Sequence, residues 1–187
     1  VIKLNPISFQ ITDTIWKERA TAVLNDTDST FIGTLNGLFV LCKNKTSYTL
    51  AATDDFFNRR ISNIKKAGDG IIWVSTYDAG LAAYKDGKII HHISDTNGLT
   101  SNICRNMFLN GNFLWVGTDK GLNKIDISSY PYKVVIKYTT SDGLASNMIN
   151  AVYAGNNMVY IGTPAGLTFF DERKVSQQSS CRLNILG

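Results

Sequence analysis

The chain has 187 residues, 44% of them hydrophobic and 18% charged, so it can bury a sizeable core and its composition excludes disorder. The net charge of +4 is spread along the chain without a basic run, which argues against nucleic acid or a lipid surface as a partner. The sequence contains no apolar run near the roughly 18 residues of a membrane helix.

The predicted elements begin with two short extended runs, 1–4 and 8–12, which are separated by Pro6. From residue 13 onward one pattern repeats: a phrase rich in Asp and Asn, an inner strand, a hairpin turn, a second strand, a glycine turn and a third strand. A fourth, outer strand follows in the first three copies, at 47–51, 89–93 and 134–138. The inner strands are predicted at 20–24, 61–65, 104–108 and 149–153.

Three positions of the pattern recur in all four copies. The small residue before the threonine of the second strand falls at Gly33, Ser75, Gly117 and Gly162, in steps of 42, 42 and 45 residues. The second strand also carries a large apolar residue, which we expect to pack between neighbouring units: Phe31, Trp73, Trp115 and Tyr160. The glycine of the following turn is expected to take a positive φ, at Gly37, Gly80, Gly121 and Gly166.

A period in the low forties fits one four-stranded propeller blade. Short strands at regular intervals, with no helical periodicity, are typical of an all-β fold. We therefore predict an all-β chain of β-propeller repeats, with about four four-stranded antiparallel blades that form part of a larger propeller. The predicted boundaries are 1–12 for the end of a preceding blade, and 13–53, 54–96, 97–141 and 142–175 for the blades.

Two copies of the repeat carry a family signature. Residues 97–102 read NGLTSN and residues 142–147 read DGLASN, and each is followed some 15 residues later by (Trp/Tyr)-(Val/Ile)-Gly-Thr-x-x-Gly-Leu. These phrases resemble the two-component regulator propeller repeat, found in the periplasmic sensor regions of hybrid two-component systems of Bacteroidetes. The first two copies depart from it, because Thr14 and Asp55 replace the glycine of the phrase.

The resemblance implies a periplasmic, ligand-sensing input domain of a hybrid two-component sensor, with carbohydrate fragments as signals and glycan-utilisation genes as targets. This fragment is then expected to be non-enzymatic and to reach the membrane only through segments outside the chain. Residues 176–187 are either the outer strand of the last blade or the start of a following β-sandwich domain. The alternatives are a protein-interaction propeller scaffold and a propeller lyase or glycosidase.

Candidate ligand-binding residues lie on the loops that emerge at one face of a propeller, near its axis. Arg, Asn and Asp side chains provide directional hydrogen bonds to sugar hydroxyls or carboxylates, and Tyr77 offers a ring for stacking. An alternative interpretation is that Asn102 and Asn147 cap turns. The candidates are Arg59, Arg60, Tyr77, Asp78, Asn102, Asp119, Lys120 and Asn147.

The sequence predicts no catalytic residue, no metal site and no cofactor. His91 and His92 are neighbours in a strand and point to opposite faces, and the three cysteines show no metal-ligand spacing. Cys104 is instead expected to be a core residue. The predicted partners are an oligosaccharide or another small-molecule signal, and a second copy of the chain, because an incomplete arc of blades exposes apolar faces at its ends.

Overall fold

A computed structural model of the chain describes residues 1–44 and 46–174. These residues form seventeen strands in five antiparallel sheets, with no α-helix among them. Four of the sheets follow one another along the chain, and their inner strands are neighbours in space. The all-β prediction is therefore confirmed. Residues 176–187, predicted as an outer strand or a new domain, lie outside the described part of the chain.

The first two sheets differ in size. The chain opens with a hairpin of two strands, β1 (Ile2–Leu4) and β2 (Ile11–Thr14). The next sheet has four strands, β3 (Ala20–Asn25), β4 (Ser29–Thr34), β5 (Gly37–Cys42) and β6 (Ser47–Thr49).

Two further four-stranded sheets and a three-stranded one complete the described chain. The strands of the first are β7 (Ile61–Lys66), β8 (Ile72–Thr76), β9 (Leu81–Lys85) and β10 (Lys88–Ile93). Those of the second are β11 (Cys104–Asn110), β12 (Phe113–Thr118), β13 (Leu122–Asp126) and β14 (Lys133–Tyr138). The last sheet contains β15 (Ala151–Gly155), β16 (Met158–Thr163) and β17 (Gly166–Asp171).

Short 3₁₀ turns occupy several of the connections between strands. In two of them a serine or threonine starts the turn and the turn's last residue caps it in return: Ser94 before Asp95–Asn97, and Thr139 before Thr140–Asp142. The others are Leu50–Ala52, Asp55–Asn58 and Glu172–Lys174.

A threonine and a glycine close the turn between the second and third strands of each sheet. Thr76 Oγ1 donates a hydrogen bond to the carbonyl oxygen of Gly80 at 3.0 Å and accepts one from the N–H of Ala79. The same bond from threonine to glycine recurs in the other three sheets, with Thr34, Thr118 and Thr163 as donors. The positive φ predicted for the glycine is confirmed at all four positions, with values of 124°, 77°, 140° and 126°.

The large apolar residue of the second strand packs against the following sheet. Trp73 is fully buried among Met107 and Leu114 of the next sheet, and Trp115 is fully buried among Val152 and Ile161 of the last one. The two tryptophans therefore have equivalent surroundings, as the repeat predicts.

Cys104 is fully buried in the core, as expected for a packing residue. Burial, with a smaller contribution from the nearby Asp119 carboxylate, raises the pKa of the Cys104 thiol to about 12. Because the thiolate is the reactive form, we expect iodoacetamide to alkylate Cys104 in the folded protein at pH 8 at least ~100-fold more slowly than in the unfolded chain.

The measurement uses a variant with Cys42→Ser and Cys181→Ser, in which Cys104 is the remaining thiol. Mass spectrometry follows the alkylation with and without urea. In the wild type, Cys42 serves as the control thiol, because it is only partly buried. Equal rates for Cys104 in both conditions would contradict the buried position.

Candidate functional site

A cleft of about 330 Å³ lies where the inner strands β3 and β7 begin. Three arginines and a tyrosine dominate its wall, and we refer to it as the arginine cleft. The side chains or backbone of the following residues line it: Arg19, Ala20, Thr21, Arg60, Ile61, Ser62, Tyr77 and Arg105.

A β-bulge at the start of three of the four inner strands contributes residues to the arginine cleft. In β3, β7 and β11 the pairing with the second strand shifts by one residue, and the unpaired residues are Thr21, Ser62 and Arg105. A bulge adds an unpaired residue and redirects its side chain. All three of these residues line the cleft, although they come from three different sheets.

Tyr77 joins two of the arginines. The guanidinium carbon of Arg60 lies 4.0 Å from the centroid of the Tyr77 ring, and Arg105 Nη1 donates to Tyr77 Oη at 2.9 Å. Arg105 Nη2 donates to Asn150 Oδ1, also at 2.9 Å. One face of the Tyr77 ring is therefore covered by a guanidinium group, which leaves at most the other face for a ligand.

The arginine cleft is electropositive. Within residues 1–44 and 46–174, no carboxylate forms an ion pair with Arg19, Arg60 or Arg105. Arg105 Nε is also buried without a hydrogen-bond partner in this part of the chain. Because a guanidinium group keeps its charge at any physiological pH, the residues that line this small opening carry three positive charges.

Arg59 and Asp78 neutralise each other beside the cleft. Arg59 Nη1 lies 2.8 Å from Asp78 Oδ2, and Arg59 Nη2 lies 3.6 Å from Asp55 Oδ2. These side chains are partly exposed, and such ion pairs stabilise a protein by only about 0.2–1 kcal/mol. Neither Arg59 nor Asp78 lines the cleft.

Asn102 and Asn147 form hydrogen bonds within the loops that precede the inner strands. Asn102 Oδ1 accepts a hydrogen bond from the N–H of Asp95 at 2.9 Å, and Asn147 Oδ1 accepts one from the N–H of Thr140 at 2.7 Å. In each case the asparagine binds the first residue of a 3₁₀ turn, which is the capping arrangement considered above as an alternative.

Asp119 and Lys120 lie in the turn after β12, outside the arginine cleft. Asp119 follows Thr118 as Tyr77 follows Thr76, and its Oδ1 is buried without a hydrogen-bond partner among the described residues. The N–H of Lys120 donates to Thr118 Oγ1 at 3.0 Å. Of the eight candidates, the structure thus brings together Arg60 and Tyr77 in the cleft, and the other six do not line it.

The sequence interpretation did not include Arg19 or Arg105. Arg19 occupies the repeat position of Arg60, one residue before the inner strand, so comparison of the two copies would have identified it. Arg105 occupies a bulge position, which no residue spacing marks.

The two histidines have separate surroundings. His91 packs against Tyr130 and Tyr132, whereas His92 Nε2 lies 2.6 Å from the carbonyl oxygen of Ala79. No group of three His, Cys, Asp or Glu side chains in the described ranges is placed to hold a metal ion. None of the helices that the structure describes has the length and apolar character needed to cross a membrane.

Known proteins resemble this chain in structure rather than in sequence. No family model and no curated protein matches the sequence. The extracellular domain of BT4673, named as a hybrid two-component system of B. thetaiotaomicron, superposes with a TM-score of 0.68 at 19% identity, over 86% of this chain and 25% of that one. The β-propeller domain of Myceliophthora thermophila Cps50 (Swd1) gives a TM-score of 0.64 at 8% identity, over 98% of this chain and 63% of that one. The chain has the β-propeller fold.

A designed protein is also similar to this chain in structure. The computationally designed Ika4 superposes with a TM-score of 0.63 at 14% identity, over 83% of this chain and 92% of the designed one. The chain spans about a quarter of the length of the BT4673 domain. The propeller fold that the sequence resemblance implied is therefore confirmed. The inner strands of a propeller surround its axis.

Proposed function

We propose that this propeller segment belongs to the extracytoplasmic, ligand-sensing part of a hybrid two-component system. The observation that supports it is the arginine cleft, in which Arg60, Tyr77 and Arg105 converge from two blades near the axis. Propellers bind ligands at such positions because several blades each contribute side chains. The fold shared with an extracellular domain of a hybrid two-component system gives this site its expected role.

The proposed signal is a carbohydrate fragment in the periplasm, and the proposed output is control of glycan-utilisation genes. Arginine side chains donate several directional hydrogen bonds, which oxygen-rich ligands accept. The kinase and regulator that carry out the response are expected in segments outside this chain.

A thermal-shift screen with defined oligosaccharides tests the proposal. A ligand at 100 times its Kd stabilises the folded state by about 2.7 kcal/mol, so we expect the correct fragment to raise the Tm by several degrees. Chromatography of the same mixtures measures turnover. Turnover would replace the sensing role with a lyase or glycosidase activity, and the absence of both stabilisation and turnover would favour a protein-interaction scaffold.

We also propose that the last sheet binds a second copy of the chain. Its outward side chains Tyr153, Tyr160 and Leu167 share one face, which we refer to as the end face. Tyr160 is 38% exposed, whereas Trp73 and Trp115 at the same repeat position are 0% exposed. Leu167 is 54% exposed, and the leucines at its repeat position are fully buried: Leu38, Leu81 and Leu122. The end face thus has the composition of a face between blades, and large exposed apolar patches mark interaction sites.

Sedimentation velocity across a range of protein concentrations measures this association. We expect the average sedimentation coefficient to rise with protein concentration. The variant Tyr160→Lys is expected to raise the dissociation constant of the self-association by at least about tenfold, because it buries a charge in the contact. The matched control is Val135→Lys, which places the same charge at an exposed apolar position of β14. A wild type that stays monomeric throughout, or an equal effect of the two variants, would contradict the proposed contact.

A further inference from the structure

We infer that the arginine cleft is a subsite for an oxyanion, a carboxylate or sulfate group carried by the sugar signal. The inference rests on the proposed function, since it specifies the ligand of the same cleft. It follows from the hydrogen-bonding groups that the described residues bring to the cleft, which offer donors and positive charge but include no carboxylate.

No carboxylate of residues 1–44 and 46–174 lines the cleft, and its neutral polar side chains already form hydrogen bonds within the protein. Tyr77 Oη and Asn150 Oδ1 both accept hydrogen bonds from Arg105. Thr21 Oγ1 donates to the carbonyl oxygen of Ile61 at 2.6 Å, and Ser62 Oγ lies 2.9 Å from Ser75 Oγ. A sugar hydroxyl donates as well as accepts, and the described lining of the cleft has three arginines but no carboxylate to accept from it, which favours a ligand group that only accepts.

The donors of the cleft are free or incompletely used. Arg19 and Arg60 have no carboxylate partner among residues 1–44 and 46–174. Arg105 Nη1 and Nη2 donate to Tyr77 and Asn150. The buried Nε of Arg105 has no hydrogen-bond partner among the described residues. Carboxylate and sulfate oxygens are acceptors without donors, and charge-assisted bonds from arginine are about twice as strong as neutral ones.

The arrangement of the charges also favours an anion. Arg60 and Arg105 contact the same Tyr77 side chain, so their guanidinium groups are held within about one Debye length, roughly 10 Å, of each other. Two like charges at this distance repel each other, and a bound anion relieves that repulsion. The cation–π contact with Tyr77 and the bond to Asn150 fix the two groups before the ligand arrives, which lowers the entropic cost of binding.

Isothermal titration calorimetry at low salt tests this inference with four probes: galacturonate, galactose 6-sulfate, galactose and inorganic sulfate. We expect both charged sugars to bind at least ~10-fold more tightly than galactose and to weaken as salt is added. Preference for galacturonate identifies a carboxylate site, and preference for galactose 6-sulfate a sulfate site. Inorganic sulfate binding as tightly as the charged sugars would support the anion subsite and assign no contact to the sugar ring.

Arginine variants test whether the charged sugars bind in the arginine cleft. Arg60→Gln and Arg105→Gln are each expected to weaken the charged sugars by at least ~10-fold. The matched control is Lys133→Gln, which removes the same charge from the outer strand β14. Thermal unfolding of each variant without ligand shows whether the fold is intact, and Arg60→Gln keeps the test valid if Arg105→Gln unfolds, because Arg60 contacts the Tyr77 ring but donates no described hydrogen bond from its side chain.

The two levels of the proposal fail in different ways. If galactose binds as tightly as galacturonate and the arginine variants change neither affinity, the anion subsite is wrong and the ligand-sensing role survives. If the oligosaccharide screen and all four probes show no binding, the sensing role at this cleft is wrong as well. If Lys133→Gln weakens binding of the charged sugars as much as the arginine variants do, the effect comes from overall charge and the anion subsite is wrong.

Discussion

Replacing Trp115 with alanine is expected to lower the free energy of unfolding by about 3–5 kcal/mol. The Trp115 side chain is fully buried between two blades, with its ring centroid 6.1 Å from that of Tyr138 and 6.5 Å from that of Phe170. Strands of two sheets form the walls of the resulting cavity, and hydrogen-bonded sheets collapse poorly into a void. Urea unfolding followed by far-ultraviolet circular dichroism measures the change, because this signal comes mainly from the backbone.

The repeat supplies a matched control for this substitution. Tyr160 occupies the position of Trp115 in the next blade but lies on the exposed end face. We expect Tyr160→Ala to cost less than about 1.5 kcal/mol at concentrations where sedimentation shows a monomer, since its side chain already contacts water. Equal costs for the two variants would show that the last blade is covered as completely as the others, and would contradict the exposed end face.

Much of the propeller was predictable because the same requirement recurs in every blade. The inner strands were predicted at 20–24, 61–65 and 104–108, and the structure begins each of them at the predicted residue. The fourth was predicted to begin at Ile149 but begins at Ala151. Ile149 and Asn150 still donate backbone hydrogen bonds, to Thr118 and Gly162, but they precede the regular ladder.

The arginine cleft was only partly predictable, because its residues come from unequal repeat positions. Arg19 and Arg60 precede their inner strands, whereas Arg105 occupies the bulge of a third one. A repeat pattern predicts what the blades share, while a binding site depends on how they differ. The bulges also escaped detection, since one extra residue at the start of a strand leaves no mark in composition or spacing.

Gly80→Ala is expected to lower the free energy of unfolding by about 3 kcal/mol or more. Gly80 has a φ of +77°, which costs an L-residue about 1–2 kcal/mol, and an added Cβ would overlap the carbonyl oxygen of Ile93 in the outer strand of the same blade. To relieve the overlap the backbone must shift. That shift disturbs the bond from the N–H of Gly80 to the carbonyl oxygen of Asn102, which joins this turn to the next blade.

Gly87→Ala separates the two causes, because Gly87 has a similar φ of +82° but no described atom within 4 Å of the added Cβ. It is expected to cost only the conformational 1–2 kcal/mol or so. Urea unfolding of both variants gives the difference, which measures the close approach of the turn to its neighbouring strand. If the two costs are equal, the turn has room for a side chain, and the requirement for glycine at this repeat position comes from the backbone conformation alone.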